Sequence, residues 1–138
     1  MAITTAITNS YKQEILEGVH ASTDTYKIAL YTESATLGAT TTAYSATNEV
    51  ADGNGYTTGG KTLTGYTSGF ASSKAYITFN DPEWTSATIT ARGFLIYNSS
   101  KSNKAVAVFD FGSNVSSTNG TFTIDLPAAG ASALIRIG

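Results

Sequence analysis

The stretch that most constrains this chain runs from Ser86 to Ser113, SATITARGFLIYNSSKSNKAVAVFDFGS. Two runs of β-branched, aromatic and aliphatic residues, Thr88–Tyr97 and Lys104–Phe111, flank the polar interval Asn98–Asn103. Strong β-formers on either side of an Asn/Ser/Lys cluster predict a hairpin. Both runs are apolar on both faces over much of their length, as central strands covered on two sides must be. The rest of the chain then has to supply the layers that cover them.

The flanking segments read accordingly. Tyr26–Thr32 alternates as a strand, with Tyr26, Ile28 and Leu30 on one side and Lys27, Ala29 and Tyr31 on the other. Lys74–Phe79, Thr121–Leu126 and Ala133–Ile137 are further strands, the last two joined by a turn over Pro127–Ala131. Lys61–Tyr66 predicts a short strand or bulge beside Gly65 and Gly69. Asp81-Pro82-Glu83-Trp84 interrupts the ladder, because proline has no N–H to donate. Between Glu33 and Gly60 large apolar residues are sparse, which predicts a long surface excursion with short edge strands at Thr42–Ser45 and Asn48–Ala51.

One helix is expected, over Tyr11–Glu17. Ser10 and Gln13 have capping-box spacing, Tyr11, Ile15, Leu16 and Val19 recur at helical intervals, and Gly18 suits the C-terminus. Two turns are marginal alone, so the apolar stripe must pack on the sheet or on a partner. The expected fold is mainly β: an antiparallel β-sandwich or a Greek-key or jelly-roll-like barrel with one short N-terminal helix. A chain of 138 residues fits one domain, residues 1–138, with an N-terminal arm and helix over about residues 1–20. It has no cysteine, so neither disulfides nor thiolate metal sites contribute.

Charge narrows the partners. A net charge of −2, with eight scattered Lys and Arg, gives no electrostatic footprint for nucleic acid. Charged residues make up 13% of the chain, about half the usual share. Ser and Thr fill the polar surface instead, and such a neutral surface suits packing against neighbours. Met1-Ala-Ile-Thr-Thr lacks the basic start and apolar core of an export signal, and no apolar run approaches the ~18 residues of a membrane span.

Several constellations hold residues that could do chemistry. Gly55-Tyr-Thr-Thr-Gly-Gly60-Lys61-Thr62 satisfies the phosphate-loop string. A phosphate loop needs a hydrophobic strand before it and a helix after it, however, and Leu63–Gly69 is a poor helix. His20 stands alone without a cysteine, and is expected to cap helix carbonyls or face solvent. Asp81 with Glu83, and Asp110 with Asp125, read as turn and strand-edge charges rather than a glycosidase pair. Glu49, Asp52 and Asn54 offer oxygens without the spacing of a calcium loop. No catalytic, cofactor or metal-binding residue is assigned.

Aromatics offer the remaining signal. Tyr26, Tyr76 and Tyr97 lie in alternating runs and are expected to be half-buried. Tyr44, Tyr56, Tyr66 and Trp84 lie in or near loops, and Tyr11 lies on the helix stripe. These five are the candidate partner contacts, through subunit packing or through stacking on a sugar.

Four segments in order, Ser10-Tyr-Lys-Gln-Glu-Ile-Leu-Glu-Gly-Val-His20, Asp24-Thr-Tyr-Lys-Ile-Ala-Leu-Tyr-Thr32, Thr47-Asn-Glu-Val50 with Gly55-Tyr-Thr-Thr-Gly-Gly60, and Ala91-Arg-Gly-Phe-Leu-Ile-Tyr-Asn98, resemble a family of small virion proteins of tailed bacteriophages. The resemblance covers nearly the whole chain. It implies a non-enzymatic particle component, made in the cytoplasm of the bacterial host and carried in the virion. Its implied partners are the major capsid protein or other virion subunits and symmetry-related copies of itself, with no membrane, nucleic acid or cofactor. A capsid decoration (cement) protein is the first expectation. A tail, baseplate or fibre component contacting the host is the second, and a carbohydrate-binding module using Trp84 and the loop tyrosines is the third. The arm, the helix and the Glu33–Gly60 excursion are the expected docking elements.

Overall fold

The computed structural model describes residues 2–127 and 129–137. Ala128, inside the expected Pro127–Ala131 turn, lies outside the described residues, as do Met1 and Gly138. The fold is mainly β, with one helix, α1 (Asn9–Leu16), among the described residues. Strands β1 (Ala6–Ile7), β2 (Tyr26–Tyr31), β3 (Lys61–Thr62), β6 (Glu83–Asn98) and β7 (Lys104–Thr123) form a five-stranded sheet in the order β1-β7-β6-β2-β3. Strands β4 (Thr67–Ala71), β5 (Lys74–Thr78) and β8 (Ile135–Ile137) form a second sheet in the order β4-β5-β8. Every strand pair in both sheets is antiparallel. Both sheets are open at their ends, so the arrangement is sandwich-like rather than a closed barrel.

The expected hairpin is the spine of the larger sheet, and it is longer than its apolar runs. Its ladder extends from Asn98↔Lys104 down to Glu83↔Thr123. The polar interval closes it as a 3-10 turn over Ser99–Lys101, followed by Ser102 and Asn103 at positive φ. Thr121–Thr123 continues β7 instead of starting a separate strand. Ile124 leaves the ladder and donates its N–H to the Pro82 carbonyl at 3.0 Å. A bulge divides the hairpin: between Gly93↔Asp110 and Ala91↔Val115, residues 111–114 of β7 face Arg92 alone. Such an insertion bends and twists the strand that carries it.

Near the turn, both faces of this sheet are buried. Phe94, Ile96 and Val106 enter a large core with Ile28, Leu30, Phe79 and Ile135, where the smaller sheet packs. Leu95, Tyr97, Ala105 and Val108 point the other way, against Ile3, Ala35, Leu37 and Tyr44. Burying a Leu, Ile or Phe side chain stabilises a fold by about 1.5–3 kcal/mol, so neither face can be left bare. The arm and the Glu33–Gly60 excursion are therefore a cover. Ile3 bridges Leu37, Thr4 N–H donates to the Leu37 carbonyl at 2.9 Å, and Ala35 is buried at 1% exposure, while Tyr56 of the excursion enters the larger core. Only single bridges, Ala43↔Lys104 and Tyr31↔Glu49, stand where the short edge strands were expected.

The helix starts earlier than the capping-box spacing indicated. Thr8, not Ser10, is the N-cap: its Oγ1 accepts the Tyr11 N–H at 3.2 Å. Thr8 is also fully buried and reaches the Ala105 carbonyl at 3.3 Å, so a contact with β7 fixes the start. The C-terminus matches expectation. Gly18 has φ +74, its N–H reaches the Ile15 carbonyl, and Val19 N–H reaches Glu14, which is the Schellman arrangement. Leu16, expected on the buried stripe, is 90% exposed.

Candidate interaction surface

Several side chains able to do chemistry are bonded internally in this fold. The His20 side chain is buried, 2% exposed, rather than capping the helix or facing solvent. Asn98 Oδ1 accepts the Ser100 N–H, so its Nδ2 donates to both Asp24 and His20 Nδ1, at 2.8 and 2.9 Å. His20 then carries its proton on Nε2 and donates to Glu14 at 2.8 Å. Lys101 closes the cluster on Asp24 at 2.7 Å. The Asn98 hydrogen bond, and after it that of Lys101, hold the Asp24 carboxyl down at about 2. This cluster ties the end of α1 to the hairpin turn.

Glu49 organises a second cluster, which joins Tyr44 and Tyr97 of the smaller core to Tyr56 of the larger one. Its carboxylate accepts from Tyr44 Oη at 2.6 Å, from Tyr56 Oη, and from the Gly59 N–H at 2.8 Å. Tyr97 Oη donates to the Gly59 carbonyl at 2.5 Å. Burial, with Glu49 adding to it, pushes the Tyr97 phenol up to about 12, and it pushes Tyr44 and Tyr56 higher still. Glu49 thus pins the excursion onto the sheet. Asp52 accepts the Thr58 N–H at 2.9 Å, so it serves its own loop. Asp81 accepts from Leu126 N–H at 2.8 Å. Asp110 pairs with Arg92 at 2.9 Å and accepts from Gly112 N–H; these two contacts, the backbone one first, lower its carboxyl. Among the described residues no group of His, Cys, Asp and Glu could hold a metal ion. The phosphate-loop string runs into strand β3 instead of a helix, and Lys61 donates to the Glu83 carbonyl beside the Trp84 ring.

The five candidate contact aromatics fare differently from expectation. Tyr11, Tyr56 and Trp84 are buried at 4%, 2% and 4% exposure. Trp84 packs between Tyr56 and Phe122, with centroids at 6.0 and 6.1 Å, and Tyr11 packs against His20 at 4.7 Å. Tyr56 and Trp84 offer no face to a partner or a sugar, and Tyr11 is left with only an edge on a groove. Tyr44 and Tyr66 are half-buried: Tyr44 stacks on Tyr97 at 4.6 Å, and Tyr66 on Tyr26 at 5.8 Å. Tyr44 therefore supports the fold as well as lying near the surface. Tyr26 and Tyr97, expected to be half-buried, are buried at 2% each.

The large apolar side chains that face outward are none of these five. Leu16, Phe70, Val115 and Ile137 are exposed at 90%, 84%, 42% and 42%. Phe70, Ala75 and Ile137 are direct cross-strand neighbours, so their side chains form one row on one face of the smaller sheet. The row lines one side of a groove of about 400 Å³, to which Tyr11 and Ile15 of α1, Tyr66 and Ile77 also contribute. A second apolar pocket, of about 230 Å³, lies beside the bulge and is lined by Phe94, Phe109, Phe111, Phe122 and Leu134. Phe70 was masked by its setting, since Thr67-Ser-Gly-Phe-Ala71 resembles a loop in composition.

No protein-family model, curated protein or solved structure matches this chain. The phage resemblance rests on the four sequence segments quoted above.

Proposed function

We propose that this chain is a non-enzymatic structural protein of a tailed-bacteriophage particle, a capsid decoration (cement) protein that binds major capsid subunits from outside the shell. The observation that carries the proposal is the division of labour between side chains. The polar clusters around Asp24 and Glu49 bond inward, whereas Leu16, Phe70, Val115 and Ile137 are left bare. Exposed apolar side chains on a rigid, weakly charged module suit burial against another protein. The four resembling segments supply the phage setting. Each capsid contact would be modest, and many symmetric sites on a closed shell reinforce one another.

The arm and excursion are bonded into the fold, which shifts the expected docking elements to the smaller sheet and the outward side of α1. Purified protein added to heads that lack it tests this reading. The proposal expects saturable binding over the head surface and greater resistance of the heads to heat. Binding confined to the tail or baseplate, or no binding, would overturn it.

A further inference from the structure

The smaller sheet ends in an edge built to pair. Strand β4 has β5 as its only sheet neighbour among the described residues. Ser72 and Ser73 join the two strands with φ +48 and +64, as the type I′ turn of a two-residue hairpin requires. That turn makes Ala71↔Lys74 a hydrogen-bonded pair, and alternation makes Gly69↔Tyr76 and Thr67↔Thr78 the next two. The N–H and C=O groups of Ser68 and Phe70 therefore point away from β5, at the open edge.

Other edges carry the usual deterrents. β3 presents Lys61, β8 presents Arg136, and β1 has two residues. β4 has five residues with no charge, no proline and no register shift against β5, and it exposes Phe70. An edge of this kind is a template for another strand.

We propose that the edge of β4 pairs antiparallel with β4 of a second copy of this chain, making one six-stranded sheet across a two-fold axis at Gly69. The free groups themselves point to a second copy, because they are symmetric about Gly69. Ser68 of one chain meets Phe70 of the other, and each such pair exchanges both N–H···O bonds. The strand is its own complement, as an isologous contact demands, and with no charge on it the two copies do not repel. The row Phe70–Ala75–Ile137 would then continue into the mate's row Ser68–Ile77–Ile135 on the same face, with the two Phe70 rings on diagonal positions. Two five-residue strands bury little beside the ~1,200–2,000 Å² of a stable complex, so the pair is weak in dilute solution. The inference stands apart from the capsid proposal, since it concerns the isolated chain.

The test exploits a chain without cysteine. In this register Thr67 lies opposite Ala71 of the mate as a non-hydrogen-bonded pair, with Cα atoms about 4.5 Å apart, within reach of a disulfide. The double variant Thr67→Cys/Ala71→Cys should oxidise to a covalent dimer, and Thr118→Cys on the distant hairpin should not. Adding Ser68→Pro removes two symmetry-related donors and should lower the dimer yield about tenfold. Phe70→Lys, which charges the edge, should do the same, and it covers the case in which the proline variant fails to melt like wild type. Sedimentation of the unmodified chain at high concentration should show reversible dimers. Cross-linking no faster than Thr118→Cys, or dimers that survive both edge substitutions in a folded chain, would overturn the proposal.

Discussion

Replacing Glu49 by alanine removes the acceptor for Tyr44 Oη, Tyr56 Oη and the Gly59 N–H together. Hydrogen bonds to charged groups each contribute about 1.5–3 kcal/mol net, so three represent roughly 5–9 kcal/mol if nothing replaces them. Two features reduce that figure. Glu49 is half-buried, so water can reach part of the site, and Tyr56 Oη keeps the Leu30 N–H at 2.9 Å. The expected loss is therefore about 2–4 kcal/mol, with Glu49→Gln costing about 1 kcal/mol because its amide oxygen still accepts. A chain of this length has a stability of roughly 7–20 kcal/mol, so both variants should remain folded. Urea denaturation gives the stability change, and amide exchange shows where it acts. Protection should fall most at Gly59, Val50 and Leu30, and least in the hairpin around Leu95 and Val108. A Glu49→Ala variant within about 0.5 kcal/mol of wild type, with unchanged protection at those amides, would refute the pinning role of Glu49.

Three further outcomes follow from the same structure. Leu95 is fully buried beneath Ile3 of the arm and Ala35 of the excursion, so Leu95→Asp should abolish folding, while Leu95→Ala should cost about 2–5 kcal/mol in a urea melt. The Asp24 carboxyl is held at about 2 in the folded chain against an ordinary 3.8, so its contribution is present above pH 4 and lost as pH falls toward 2. Asp24→Asn should therefore be less stable than wild type at neutral pH, and the gap should narrow on acidification. Gly60 sits against β2, where an added Cβ would lie 1.8 Å from the Ile28 carbonyl oxygen at φ +81. Gly60→Ala should cost about 3 kcal/mol or more, whereas Gly112→Ala, strained in φ but in open space, should cost about 1 kcal/mol.

The hairpin was legible because its central residues are β-formers on both faces, a pattern few other structures can use. Its outer half was not. Gly112, Ser113, Asn114 and Ser116 carry no strand pattern, because this part of β7 is largely exposed and only the ladder to β6 makes it a strand. Thr8 was missed as the helix cap because its burial depends on carbonyls about a hundred residues away in sequence, at Ala105 and Val106. Tyr56 and Trp84 sit among Gly and Pro and so read as loop aromatics, yet Trp84 belongs to strand β6 and both rings enter the core. The candidate surface suffered the reverse error. Phe70 lies on an exposed strand of small residues, and nothing local distinguishes a bare edge from a loop.

A density map of the parent particle, at a resolution that shows side chains, tests the central claim most directly. This chain should stand at every symmetry-equivalent junction of the head, with the smaller sheet or the outer side of α1 against the shell. Density for it only at the tail, or none on the head, would contradict the account.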